Sequence, residues 1–167
     1  NLYVAGTTTS RDFPVTEDAC RKSFSGGTTD GFVAKLDNGL ARLLGSTFVG
    51  SAGDDTVAAL SADRDGNIYA AGYTNSETFP TTDAACQKTF RGLYDVFIVK
   101  MSGNLSAMLA STLLGGDSAD YAAAISIDRE GYIYVTGSTE SVNFPASVNA
   151  YSKVLNGVAD AFITKLS

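Results

Sequence analysis

The chain of 167 residues sets twelve Lys and Arg against eighteen Asp and Glu, a net charge of −6, and contains no histidine. That balance argues against a nucleic-acid partner, which would want a basic stripe. The missing histidine removes Ser-His-Asp and Cys-His nucleophiles and every His-ligated metal site. No apolar run reaches membrane-spanning length, and abundant Gly, Ser and Thr suit short strands and tight turns.

Taken in order, the chain opens on NLYVAG, Asn1–Gly6, which returns inside DRDGNIYAAG, Asp63–Gly72, and DREGYIYVTG, Asp128–Gly137. The leading apolar residues Leu2, Ile68 and Ile133 stand 66 and then 65 positions apart. SRDFP (Ser10–Pro14) recurs as SETFP (Ser76–Pro80) and SVNFP (Ser141–Pro145). DGFVAKL (Asp30–Leu36) recurs as DVFIVKM (Asp95–Met101) and DAFITKL (Asp160–Leu166), and STFVG (Ser46–Gly50) as STLLG (Ser111–Gly115). A fixed period of this length marks a repeat architecture. The opening without Met, inside a strand pattern, leads us to expect a piece of a longer or processed protein.

Within one unit, four segments read as strands: A (Val57–Asp63), B (Asn67–Tyr73), C (Asp95–Met101) and D (Ser106–Leu114). Their period-2 alternation and β-branched or aromatic content favour strand over helix. Strand B places Ile68 and Ala70 on one face and Tyr69 and Ala71 on the other. Asp-Gly chemistry joins A to B, and a second tight turn (Ser102–Asn104, or Asp37–Gly39) joins C to D. The B–C link is long, holds the Phe-Pro pair, and has room for a helical turn over Thr81–Phe90.

Four antiparallel strands, repeated, make the blade of a β-propeller. The chain is expected to be all-β, with ten strands: B–D over residues 1–50, A–D over 51–115, and A–C over 116–167. Two and a half blades do not close a ring of at least four. Bare edge strands are therefore expected to pair with further blades of the same polypeptide or with a second copy.

The ordered set D-x-x-G-N-x-Y-x-x-G, T-x-S-x-x-F-P, D-x-F-x-x-K-L and S-T-x-L-G-G resembles the bacterial seven-bladed β-propeller repeat family, often called SBBP. The resemblance covers nearly the whole chain. It implies a propeller in large secreted or cell-surface proteins, and so an extracellular or cell-surface address. It implies no particular biochemical activity.

Several residues are candidates for chemistry. Asp63, Asp65 and Asn67 alternate around Gly66 like the start of a calcium loop. The competing reading is a hairpin whose Asp side chains bond the turn's own N–H groups, and the third copy puts Tyr132 where Asn67 stands. Asp55 and Asp120 precede strand A, and Asp30, Asp95 and Asp160 open strand C. Strand alternation puts both sets on one face of the disc. That face holds thirteen of the eighteen acids and six of the twelve basic residues. These aspartates either cap exposed N–H groups in Gly-rich turns or present calcium-binding or sugar-binding carboxylates. Phe13, Phe79 and Phe144 are expected to plug their loops onto the blades. Lys35, Lys100 and Lys165 read as solvated charges ending strand C, and Cys20 and Cys86 as packing positions rather than a disulfide.

No catalytic residue can be assigned. Every recurring acid recurs once per blade, which is how scaffolding behaves, whereas a catalytic site usually breaks the repeat at one place. The leading expectation is a non-enzymatic scaffold or binding module presenting the acidic loop face to a glycan or protein. The alternatives are a carbohydrate-active enzyme using two carboxylates and an assembly module that pairs blades between chains.

Overall fold

The computed structural model describes all 167 residues and contains ten strands and no helix. The strands are β1 (Leu2–Thr8), β2 (Asp30–Leu36), β3 (Leu43–Val49), β4 (Asp55–Ala62), β5 (Ile68–Thr74), β6 (Asp95–Met101), β7 (Met108–Leu114), β8 (Asp120–Ile127), β9 (Ile133–Thr139) and β10 (Asp160–Leu166). They form three antiparallel sheets, β1-β2-β3, β4-β5-β6-β7 and β8-β9-β10. The central sheet is a complete blade, A to D. Its inner strand β4 packs against β1 on one side and β8 on the other. The chain is a partial β-propeller.

Period-2 alternation sends the two faces of the central blade into two cores. Ile68, Ala70, Phe97, Val99 and Met101 meet Val33 and Val49 of the first blade. Tyr69, Ala71, Val96 and Ile98 meet Ala122, Ile125, Val135 and Phe162 of the third. Each blade is therefore apolar on both faces and depends on its neighbours for burial. Both complete inner strands carry a bulge at the same place, Val57/Ala59 in β4 and Ala122/Ala124 in β8.

Three of the recurring motifs turn out to be one contact. The strand-B glycine lies directly across from the strand-C phenylalanine, as Gly6↔Phe32, Gly72↔Phe97 and Gly137↔Phe162. A Cβ on Gly72 would stand 1.8 Å from Thr56 O and 2.7 Å from the Phe97 ring. Only glycine leaves room for the aromatic ring to lie over the strand. The Phe of the Phe-Pro pair then covers that ring: centroids are 4.4 Å apart for Phe13–Phe32, 4.7 Å for Phe79–Phe97 and 4.7 Å for Phe144–Phe162. Phe79 is buried, as the plug reading requires.

The connections differ from expectation in three respects. The B–C link makes no helix; after a turn closed by Ala85 N–H to Thr82 O, it runs along the outer strand, bonding Thr82 to Ser111 and Leu113 to Gln87 through the backbone. Ladder bonds to β7 satisfy the loop's backbone and compete successfully with a helical turn. In the C–D turns the left-handed residue is not the glycine but Leu40 (φ 56°) and Leu105 (φ 64°). Such a conformation costs a branched residue about 1–2 kcal/mol, and at Leu105 complete burial against the first blade offsets it. Cys20 and Cys86 are free and exposed, not packed. They sit on the outer run of the loop, where the adjoining Ala19 and Gln87 take the buried positions instead.

The loop face as candidate functional site

The starts of strands A and C and the ends of B and D share one edge of each sheet, so the D–A links and B–C loops form one face. The strand-start aspartates, read as turn caps or as displayed carboxylates, lie inside that face. Asp30, Asp55, Asp95 and Asp120 are each 0 % exposed, and Asp160 is half-buried. The reason is local: each carboxylate turns back to accept N–H donors of its own Gly-rich turn.

Asp30 Oδ2 accepts from Ser25 N–H at 2.7 Å, and Asp160 Oδ2 from Asn156 N–H at 2.7 Å. Asp95 Oδ2 accepts from Gln87 Nε2 at 2.8 Å and Arg91 N–H at 3.1 Å. Asp55 Oδ2 accepts from Ser51 N–H at 2.7 Å and Ser76 Oγ at 3.0 Å. Asp120 Oδ2 repeats this with Gly116 N–H and Ser141 Oγ, both at 2.8 Å. The serine of the S-x-x-F-P motif is thus the hydroxyl that binds the strand-A aspartate.

The acids also meet in pairs across the blade junctions. A Cβ on Gly50 would stand 2.7 Å from Asp55 Oδ2 and 3.0 Å from Asp30 Oδ1. On Gly115 it would stand 2.5 Å from Asp95 Oδ1 and 3.0 Å from Asp120 Oδ2. Glycine is needed because the carboxylates close in on this point. Burial pushes Asp30 and Asp95 up to about 6, against the pull of their turn N–H donors and with a further push from the facing acid. Burial raises Asp55 as well.

On the opposite face, the Asp63–Asn67 segment is a hairpin turn. Asp63 Oδ1 accepts from Asp65 N–H at 3.0 Å and Asn67 N–H at 2.8 Å, and Oδ2 from Asn67 Nδ2 at 2.9 Å. Lys100 Nζ lies 3.3 Å from Oδ2. Burial works against ionisation of Asp63, but the donors of Asn67 and Lys100 outweigh it and hold its carboxyl below the ordinary value. Asp65 projects into solvent. No group of three or more Cys, Asp and Glu residues converges there or elsewhere on the chain in a metal-holding arrangement.

The strand-C lysines are not free charges. Each stands opposite a strand-B tyrosine, as Tyr3↔Lys35, Tyr69↔Lys100 and Tyr134↔Lys165. Each ammonium approaches that ring, at 5.2, 5.0 and 5.4 Å from the centroid. Lys35 Nζ also donates to Gly103 O of the next blade at 2.7 Å. Cross-strand pairing across the pleat brings the aliphatic stems over the aromatic faces.

What the sequence reading missed is a cluster of three half-exposed tyrosines, Tyr73, Tyr94 and Tyr121, on the loop face at the junction of the second and third blades. Ring centroids are 4.9 Å apart for Tyr73–Tyr121, 5.5 Å for Tyr94–Tyr121 and 5.8 Å for Tyr73–Tyr94. Tyr73 closes β5, Tyr121 opens β8, and a parallel bridge from Tyr94 to Ala119 brings the third ring alongside. Asn75 Nδ2 reaches Tyr94 Oη at 3.5 Å. Burial, then the charge of Glu140, raises the Tyr121 phenol. An open depression of about 470 Å³, lined by Glu77, Lys88, Thr89, Phe90, Arg91 and Gly92, lies on the same loop as Tyr94. The signal was in the sequence: the matching positions one blade earlier are Thr7, Thr29 and Thr56. The tyrosines break the repeat at one place.

No helix is long and apolar enough to cross a membrane. No curated protein matches the chain. Residues 41–80 and 111–145 match the family model for SBBP, a beta-propeller repeat. Each match runs from an outer strand through the acid-bearing link and inner hairpin to the Phe-Pro pair, and strand C with Asp30 and Asp95 lies outside both. Those two segments are similar to SBBP repeats in sequence, and the architecture that holds them is a partial β-propeller.

Proposed function

We propose that this propeller segment is a non-enzymatic binding module that takes a glycan on its loop face, at the Tyr73–Tyr94–Tyr121 cluster. One observation carries the reading: these aromatic rings are the unrepeated, half-exposed feature of a face whose repeated acids are turned inward onto their own turns. Tyrosine offers a flat apolar ring and a hydroxyl, the combination that suits sugar rings bearing both C–H and O–H groups. Asn75, bonded to Tyr94, and Glu140, whose charge acts on Tyr121, supply an amide and a carboxylate at the rim. An extracellular or cell-surface address, as the repeat resemblance implies, belongs to this reading.

A glycan array probed with the chain, with released sugar measured in parallel, tests it. Retention of neutral glycans without turnover supports the proposal. Sugar release would establish the carbohydrate-active enzyme instead, and retention of no glycan would leave the face to a protein ligand.

A second reading, assembly through blade edges, is favoured by the apolar side chains on the edge strands β1 and β10: Leu2 is 47 % exposed, Val4 38 % and Ile163 78 %. Further blades or a second copy would cover them. Concentration-dependent association in sedimentation tests it, and a monomer at all concentrations contradicts it.

A further inference from the structure

The paired aspartates at the blade junctions create a demand that the chain's own donors do not meet. At each junction an acid gives one oxygen to its turn and aims the other at its mate. Asp30 Oδ1, Asp95 Oδ1 and Asp120 Oδ1 are completely buried and have no hydrogen-bond partner. Asp30 Oδ1 and Asp95 Oδ1 approach the same small space beside Gly50 and Gly115 that Asp55 Oδ2 and Asp120 Oδ2 also border. Arg21 and Arg91 are close enough to be felt by these acids. The ion pairs of the chain, however, are Lys88–Asp83 and Lys100–Asp63, so neither arginine neutralises a junction. Two facing buried carboxylates without a counter-charge repel each other and lose hydration.

A counter-ion between them removes both costs. We propose that each interblade acid pair, Asp30 with Asp55 and Asp95 with Asp120, holds one hard divalent cation of the calcium class. The cation ties the start of strand C in one blade to the start of strand A in the next. The donor set is oxygen throughout, which selects calcium or magnesium over thiophilic metals. At the first junction the unpartnered oxygen is Asp30 Oδ1, because Asp55 has both oxygens bonded, Oδ1 by Ser76 Oγ at 3.2 Å and Oδ2 by Ser51 N–H and Ser76 Oγ; Asp63 differs in having no second carboxylate beside it. The junction sites go beyond the glycan reading and do not depend on it.

Calorimetric titration of the chelator-treated 167-residue chain with calcium chloride, at about neutral pH, tests the proposal. Two calcium ions should bind per chain, and the thermal midpoint should rise by several degrees. Asp95→Asn should bind one, and Asp30→Asn, at the other junction, should also bind one. The unmodified chain gives an answer even where a variant fails to fold. No uptake, with a midpoint indifferent to calcium and magnesium and rising only on acidification, would overturn the proposal and assign a shared proton to each pair. Binding of a single ion by the unmodified chain would overturn the claim that every junction is a site.

Discussion

Two populations of residues share the loop face and behave oppositely. The aspartates recur in every blade, and the four at the complete junctions are fully buried and bonded to their own turns. The tyrosines occur at one junction only, are half-exposed, and stand where the preceding blade has threonine. Recurrence in a repeat protein reports what each unit needs to stack on its neighbour. On the proposed reading, departure from recurrence marks the ligand site. The net acidity of the face is therefore partly an interior property: exposed acids such as Asp117 and Glu140 form the outward charge, while the junction acids belong to the scaffold.

The comparison can be broken or sharpened by substitution. The largest effect should come from the recurring aromatic contact. Phe79→Ala removes a buried ring stacked at 4.7 Å on Phe97 and should cost about 3–5 kcal/mol in urea unfolding. A loss near zero would mean that the loop is not held by its plug.

Next in size is the pH dependence of the acid pairs. Asp30 and Asp95 are raised from 3.8 to about 6 in the folded chain. A raised carboxyl binds protons more tightly folded than unfolded, so its stabilising contribution is full below about 3.8 and is lost as pH rises through about 6. In metal-free buffer the urea midpoint should accordingly fall across that window. The double variant Asp30→Asn, Asp95→Asn should flatten the fall, whereas a midpoint rising with pH over the same window would contradict the assignment. Calcium should lift the neutral end of the profile in the unmodified chain alone.

The smallest effect concerns the opposite face. Lys100→Met removes the 3.3 Å contact with Asp63 and the ammonium over Tyr69, both partly solvated. Thermal unfolding should register a loss of about 0.5–1 kcal/mol.

The fold was legible because its determinants are local and repeated. Alternation in Ile68–Ala71 set both core faces, and Asp-Gly turns and strand lengths set the blade. The site was less legible, for physical reasons that differ by residue. Position at a strand start identifies the edge on which Asp55 lies, but not that its carboxylate folds back onto Ser51 N–H and Ser76 Oγ. Lys100 is polar and ends a strand, so its aromatic partner appears only with the register Tyr69↔Lys100. Cys86 shares a motif position with Cys20, but both lie on the outer run of a loop whose packing depends on β7 and β3. The tyrosines were visible as departures from the repeat, yet only the three-dimensional junction brings Tyr94 beside Tyr73 and Tyr121.

The central claim is that repeated residues build the stack and unrepeated tyrosines serve its ligand. It is tested most directly by restoring the repeat: Tyr73→Thr, Tyr94→Thr and Tyr121→Thr together, with glycan retention and thermal unfolding measured on the same sample beside the unmodified chain. Threonine is the residue that the preceding blade accepts at each position and is well suited to strands. The account predicts a folded, cooperatively unfolding protein that retains no glycan, beside an unmodified chain that does. Glycan retention undiminished in the triple variant, or collapse of the fold with the tyrosines, would contradict it.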